Sequence, residues 1–283
     1  MRNGLQMWRV AKPYFYIAPA FLIIMMFLIA GVGEALLQSL GRLPFLHNQN
    51  LSFATYERMF SGRWFLPSLL LTLRVSVIST IISGVIGLAI AYFFMNRPIV
   101  YLLPFAIPHI VAAYMIFLLF TSGGLISGLL YQMGVIDSMH QFPVLVHDSF
   151  GVGIILAFVW KEAPFIAVFV AAAWKQIDQD WSLSAANLGA NRWQTFRYVT
   201  FPMLLPAWWS AMLIAFAFTL TSFEIPYILG ITFPKFLSVY AYDYFTHPNL
   251  AHRSMAMAIN LLLSAIAIVI AFLYFRMQRR WDT

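Results

Sequence analysis

The chain has 283 residues, of which 62% are hydrophobic and 10% charged, with a net charge of +7 at pH 7 and a mean hydropathy of +0.81. Soluble domains carry about 25% charged residues, so this composition excludes a soluble globular protein and predicts a polytopic membrane protein. The positive charge does not require a nucleic-acid partner, because membrane proteins concentrate Lys and Arg in cytoplasmic loops. The chain has no cysteine, which excludes disulfides and thiolate metal sites.

The first hundred residues contain two predicted membrane-spanning helices. A basic N-terminal segment precedes an apolar run at 14–37, which is longer than the apolar core of a signal peptide and therefore predicts a retained first helix. The polar and aromatic stretch 38–64 is expected to be an external loop with a short helix around 52–60. Helix two is expected at 65–94, ending before Pro98.

The third predicted helix contains two prolines. It runs from about Val100 to Thr121, with Pro104 and Pro108 inside it. The apolar stretch that follows, up to Ile136, is too short to cross a bilayer and predicts a surface or re-entrant helix. An outer loop is expected at 137–150.

Three more helices complete a predicted bundle of six. Helix four is expected at 152–174, interrupted near Pro164; helix five starts near Met203, and helix six covers 255–275. With no internal repeat, linker or low-complexity segment, we interpret residues 1–283 as one transmembrane domain.

The loop at 175–202 is polar and helix-forming, and membrane-length apolar runs flank it. Asp180 or Ser182 can cap a first short helix by accepting hydrogen bonds from its free N–H groups. Gly189 supplies the left-handed residue that ends this helix. The loop is therefore predicted to start with a short helix and a sharp corner.

A second helix is predicted directly after that corner. Asn191 and Gln194 have the spacing of a capping box, and Pro202 marks where the helix kinks or restarts. Because a short helix is unstable alone in water, we expect the loop to be docked. It docks either on a partner protein or, as an amphipathic helix, on the membrane surface.

This loop resembles the signature of the permease subunits of binding-protein-dependent ABC importers. That signature reads Glu-Ala-Ala, three residues, Gly, nine residues, an aliphatic residue, one residue and Leu-Pro. The chain has Leu183-Ser184-Ala185, then Gly189, Val199 and Phe201-Pro202 at these positions. Leu183 and Ser184 depart from the signature, and Leu183 removes a charge that the family often offers to its ATPase.

The resemblance implies an all-α type I importer permease in the inner membrane. Its first loop helix would be a coupling helix, seated in a groove of an ATPase subunit. The matching coupling positions are Leu183, Ser184, Ala185, Ala186, Leu188, Gly189, Ala190 and Pro202. The implied partners are a second permease subunit, the same or different, two ATPases that bind ATP and Mg²⁺, and an external substrate-binding protein.

The distribution of Lys and Arg predicts the orientation. With both termini in the cytoplasm, ten of these residues lie inside, five lie outside and two lie within spans. Because the excess of Lys and Arg marks cytoplasmic loops, the loop at 175–202 is expected to face the cytoplasm.

No Gly-x-x-x-x-Gly-Lys-[Ser/Thr] motif is present, so the chain lacks the usual cradle for nucleotide phosphates. Charged residues inside spans are costly and commonly face a cavity or a partner. Lys161 and Glu162 in helix four, and Ser222 and Glu224 near the outer end of helix five, are therefore candidates for the translocation pathway. Lys161 and Glu162 point about 100° apart on a helix, so we expect them to face different neighbours. His109 is expected to have a packing or hydrogen-bonding role.

Two other classes of function remain to be weighed. An ion-coupled secondary transporter would use Glu162 and Glu224 and need no ATPase, but the sequence shows no inverted repeat. An intramembrane enzyme would need a catalytic pair, which the motifs do not supply. The motifs Trp-Lys-x-x-Pro at 160–164 and Phe-Glu-x-Pro at 223–226 are similar to motifs in permeases of the polyamine and iron group. The expected substrate is a small polar solute, polyamine-like by this resemblance.

Overall fold

The structure is a computed structural model that describes residues 2–43, 50–177 and 179–278. All the long elements in these ranges are helices. Among the described residues, six helices are long and apolar enough to cross a membrane. The all-α, six-span prediction is confirmed.

Thirteen α-helices follow one another in the described chain. They are α1 (Arg2–Ser39), α2 (Ala54–Ser61), α3 (Phe65–Phe94), α4 (Ile99–Ala106), α5 (His109–Phe120), α6 (Leu125–Gln132), α7 (Val152–Trp174), α8 (Gln179–Asn187), α9 (Arg192–Thr195), α10 (Phe201–Thr221), α11 (Glu224–Leu229), α12 (Leu237–Phe245) and α13 (Arg253–Gln278). A π-helical turn, Phe196–Thr200, joins α9 to α10.

The centre of the bundle is the packing of α3 along α7, with α10 against both. Small residues allow the close approach: a Cβ added at Gly87 of α3 would lie 2.7 Å from the carbonyl oxygen of Ala163 in α7. Ala163 and Ala167 are buried in this interface. At the α3–α10 contact, the Trp208 indole donates a hydrogen bond to the Gly84 carbonyl at 2.9 Å.

Helices α1, α2, α12 and α13 surround this centre. The apolar part of α1 is exposed along its length, and α1 packs against α13. The external helix expected around 52–60 is present as α2, which contacts α3 and α13.

The third span differs from the expected single helix at 100–121. It is broken at Ile107 and Pro108 into α4 and α5, and the third candidate membrane span covers His109–Gln132. That span therefore includes α5 and α6, so α6 is not the separate surface or re-entrant helix expected from its length, and α4 precedes the span. Pro108 has no N–H to continue the helix, and its ring disfavours the helical conformation at the preceding residue. Ile107 is accordingly extended, with φ −74° and ψ 133°.

Two further boundaries also differ from expectation. Helix α7 is continuous through Pro164 and is not interrupted, because a proline removes only one helical hydrogen bond and tight packing holds both sides of it. The fifth span starts at Arg192 instead of near Met203. The π-turn bonds the Phe201 N–H to the carbonyl of Phe196, five residues back, so the helix runs on into Pro202.

Candidate functional site

The first helix of the polar loop, α8, ends in the predicted corner. Gly189 has φ +86°, in the left-handed region. The Ala190 N–H donates to the Ala185 carbonyl at 3.0 Å, and the Gly189 N–H donates to the Ala186 carbonyl at 2.9 Å. These two bonds form a Schellman motif, which satisfies carbonyls that the helix end would leave free.

The start of α8 differs from the prediction. The helix begins at Gln179, so Asp180 and Ser182 lie inside it and neither is the capping residue. The capping position would be residue 178, which lies outside the described residues.

The second helix begins with the predicted capping box. The Gln194 N–H donates to the Asn191 side-chain oxygen at 2.9 Å, and the Asn191 N–H donates to the Gln194 side-chain oxygen at 2.8 Å. Because α9 continues through the π-turn into α10, the loop corner is joined directly to a membrane-spanning helix.

Phe196 in the π-turn anchors the loop to the bundle. Its buried ring lies 4.7 Å from the Tyr92 ring at the end of α3 and 5.5 Å from the Trp174 ring at the end of α7. A displacement of the loop would therefore reach three membrane-spanning helices through one side chain.

The described side chains on the exposed face of α8 are uncharged, and Asp180 precedes them by one turn. Leu183 lies there beside Ser184 and Asn187, all exposed, and Leu188 at the corner is 90% exposed. Exposed leucines on a short helix indicate a surface that another body covers.

The break in the third span is the second distinctive feature. At the end of α4, the carbonyls of Pro104, Phe105 and Ile107 all accept hydrogen bonds from the Lys161 ammonium, at 3.1, 3.1 and 2.5 Å. Lys161 lies near the middle of α7 and is only 3% exposed. Its three N–H donors are matched by three acceptors, and its charge lies at the negative end of the α4 dipole.

The next residue, Glu162, faces the other side of the break. Its Oε1 lies 3.4 Å from Nε2 of His109, the first residue of α5. Glu162 is 5% exposed, and its negative charge lies beside the positive end of the α5 dipole.

The expectation that Lys161 and Glu162 face different neighbours needs a correction. They do point apart, but both reach the same break, the one between α4 and α5. One side chain reaches the end of α4 and the other reaches the start of α5.

A cavity of about 220 Å³ lies against this break. Its lining residues come from α4, α5, α7 and α10, and are Phe105, His109, Lys161, Glu162, Phe165, Ile214 and Phe218. The His109 ring lies 4.5 Å from the Phe218 ring. Since Phe105, Ile214 and Phe218 are exposed, the cavity opens at the surface of the chain.

Ser222 and Glu224 do not line this cavity. Ser222 follows the end of α10, and its hydroxyl is buried with no hydrogen-bond partner among the described residues. Glu224 is exposed in the first turn of α11. Within the described ranges, no group of three or more His, Cys, Asp or Glu side chains is placed to hold a metal ion.

The aromatic lining of the cavity, Phe105, Phe165 and Phe218, was not among the residues predicted from the sequence. Phe105 lies between Pro104 and Pro108, and this pair of prolines is a sequence signal for a helix break beside that residue.

Comparison with known proteins gives one family. Residues 96–283 match the model of the family described as "Binding-protein-dependent transport system inner membrane component". The trehalose/maltose transport system permease protein MalF of Thermococcus litoralis is 27% identical, with 96% of this chain and 95% of that protein covered. The trehalose transport system permease protein SugA of Mycobacterium tuberculosis is also 27% identical, covering 98% of this chain and 91% of that protein.

Solved structures share the fold. A chain of a bacterial ABC transporter involved in alginate import has a TM-score of 0.77 at 21% identity, with 97% of this chain and 99% of that chain covered. A chain of the MetNI methionine ABC transporter has a TM-score of 0.56 at 18% identity, covering 75% of this chain and 94% of that one.

Proposed function

Because the chain belongs to the family of inner membrane components of binding-protein-dependent transport systems, we propose that it is a permease subunit that moves a sugar across the membrane. It works with a second permease subunit, two ATPases and an external binding protein. Residues 1–283 form one permease domain, and the loop at 175–202 couples it to the ATPase. ATP and Mg²⁺ are held by the ATPases, and this chain itself catalyses no reaction.

The structure of the loop and its contact with the bundle support the coupling proposal. Helix α8 ends at a fixed corner, the next helix runs unbroken into the fifth span, and Phe196 joins that helix to α3 and α7. The coupling contact involves Leu183, Ser184 and Leu188, with Ala185, Ala186, Gly189, Ala190 and Pro202 shaping the loop.

The exposed side chains of α8 indicate what kind of surface the ATPase offers to it. With Leu183 in place of an acidic residue and no charge at Ser184 or Asn187, we propose that α8 docks in an apolar groove. Burial of about 25 cal/mol per Å² of apolar surface stabilises such a contact without an ion pair.

We propose that the loop and both termini face the cytoplasm. The count made from the sequence gives ten Lys and Arg residues on that side against five on the other, and Arg192 and Arg197, two of the ten, fall in the first turns of the fifth span. Six spans return the chain to the side where it started. This orientation places α8 where ATP is available.

The cavity at the broken span is proposed as part of the translocation pathway. At about 220 Å³ it is smaller than the roughly 300–1,000 Å³ of sites that enclose a drug-sized ligand, so it suits one ring of a larger solute. Aromatic faces with a few polar groups orient a sugar, since the ring C–H groups pack on Phe and the hydroxyls bond to the Glu162 carboxylate. Because the cavity opens at the chain surface, the second permease subunit would close it.

The proposed substrate is a sugar, not the polyamine-like solute expected from the two short motifs at 160–164 and 223–226. The near full-length relatives are named for trehalose and maltose, whereas a polyamine would favour a site dominated by carboxylates. Here the cavity is lined by the Lys161 side chain as well as by the Glu162 carboxylate. Ser222 and Glu224 remain proposed pathway residues at the outer end of the fifth span.

Purification of the tagged protein from its native membrane tests this proposal. We expect an ATPase to copurify, ATP hydrolysis to rise when the binding protein is added, and uptake in proteoliposomes to be inhibited by trehalose or maltose but not by spermidine. A protein that transports without an ATPase would favour the ion-coupled alternative. Inhibition by spermidine alone would refute the sugar proposal and leave the importer proposal standing.

A further inference from the structure

The adjacent charges on α7 occupy unequal positions in the cavity wall. Lys161 has three donors, and the carbonyls of α4 take all three. Glu162 uses one carboxylate oxygen for His109, and its second oxygen has no hydrogen-bond partner among the described residues. A solute hydroxyl can therefore bond to Glu162, but Lys161 has no free donor to offer it.

The break in the third span explains why Lys161 is needed. Pro108 removes the N–H that a continuous helix would offer to the Pro104 carbonyl, which keeps one 3.3 Å hydrogen bond from the Ile107 N–H, whereas the Phe105 and Ile107 carbonyls accept from the Lys161 ammonium. Polar backbone groups without a partner are costly where no water reaches them. Lys161 supplies the missing hydrogen bonds and a positive charge at the end of α4.

The positions of two cavity residues depend on the hydrogen bonds between Lys161 and the carbonyls of α4. Phe105 is in the last turn of α4 and His109 is the first residue of α5, so they flank the break and both line the cavity. We propose that Lys161 is a positioning residue: it binds the end of α4, while Glu162 contacts His109 at the start of α5. Together the two residues fix both sides of the break, and thereby the shape of the cavity, and Lys161 does so without binding the solute. This inference rests on the proposed role of the cavity in transport.

Cysteine labelling tests the positioning without relying on transport. The chain has no cysteine, so Phe105→Cys in the purified complex gives a single reporter on this subunit for a water-soluble methanethiosulfonate reagent. With Lys161→Met, which keeps a long side chain without donors, we expect the labelling rate to change by about tenfold, because the lost bonds come from a charged group. Lys161→Arg, which restores donors and charge, should recover most of the original rate. Arg97→Met is the matched control, since it removes an exposed cation before the other end of α4.

A double-mutant cycle separates positioning from contact with the solute. Pro108→Ala returns an N–H to the backbone. The fold reduction in sugar uptake that Lys161→Met causes should therefore be at least about threefold smaller in the Pro108→Ala background than with Pro108 present. Equal losses in both backgrounds, with unchanged labelling at position 105, would overturn the proposal and make Lys161 a direct contact of the solute.

Assembly provides the readout if Lys161→Met yields too little complex to assay. Pro108→Ala should then restore the yield, and failure to restore it would refute the positioning role of Lys161. If labelling and assembly follow the expectation but no variant alters sugar uptake, the positioning holds and the proposed role of the cavity in transport fails.

Discussion

Substitution of Gly189 separates backbone strain from side-chain size at the loop corner. A Cβ built at this position has no atom of the described chain within 4 Å, so the Cβ itself causes no clash there. The cost is set by φ +86°, because a residue with a Cβ in the left-handed region costs about 1–2 kcal/mol. That corresponds to a roughly 5- to 30-fold change in the population of the formed corner. Asn tolerates this conformation better than Ala, and a β-branched Val tolerates it least.

The expected order of solute uptake by reconstituted complexes is therefore Gly, then Asn, then Ala, then Val. Gly189→Val should insert into the membrane normally, yet the ATPases of the assembled complex should hydrolyse ATP without matching uptake of solute. The Asn and Ala variants form the informative pair, since Asn is the larger side chain and is expected to transport better. Uptake that falls with side-chain size, with Ala above Asn, would refute the strain argument, and normal uptake by Gly189→Val would remove the coupling assignment itself.

Three other substitutions test separate contacts. Phe196→Ala should uncouple uptake from ATP hydrolysis, because loss of a buried Phe costs about 3–5 kcal/mol of packing; Phe196→Leu should retain partial coupling, and equal uptake by both variants would contradict the anchor. Glu224→Gln should lower uptake more than the yield of assembled complex; unchanged uptake would return Glu224 to a structural role. Gly87→Ala should lower the thermal unfolding temperature of the purified protein, since overpacking costs about 1–3 kcal/mol. Gly31→Ala, with no atom within 4 Å of its added Cβ, is the control that should not.

Local rules predicted the loop well. The left-handed Gly189 and the pairing of Asn191 with Gln194 depend on neighbours within a few residues, and the structure confirms both. The six spans follow equally from length and hydropathy.

Proline positions were harder to interpret, because the outcome depends on what packs around them. Pro164 is tolerated inside α7, where Ala163 and Ala167 pack tightly against α3. Pro108 breaks the third span, where Lys161 is available to satisfy the freed carbonyls. The sequence separates Lys161 from these carbonyls by 54 to 57 residues, so no local pattern could have paired them, and the cavity lining was missed with them.

The divided third span also has a consequence for the biogenesis of the protein. Helix α4 has 8 residues and α5 has 12, which at 1.5 Å per residue gives about 12 and 18 Å. Neither length crosses a hydrocarbon core of about 30 Å. The lysine that satisfies the break is synthesised 54 to 57 residues later, a delay of about 3–11 s at typical translation rates. The candidate span His109–Gln132 is long enough to cross only because α6 follows α5. Until α7 emerges, the carbonyls at the break need water or the insertion machinery as their partner, so the junction of α4 and α5 reaches its final form only together with the fourth span.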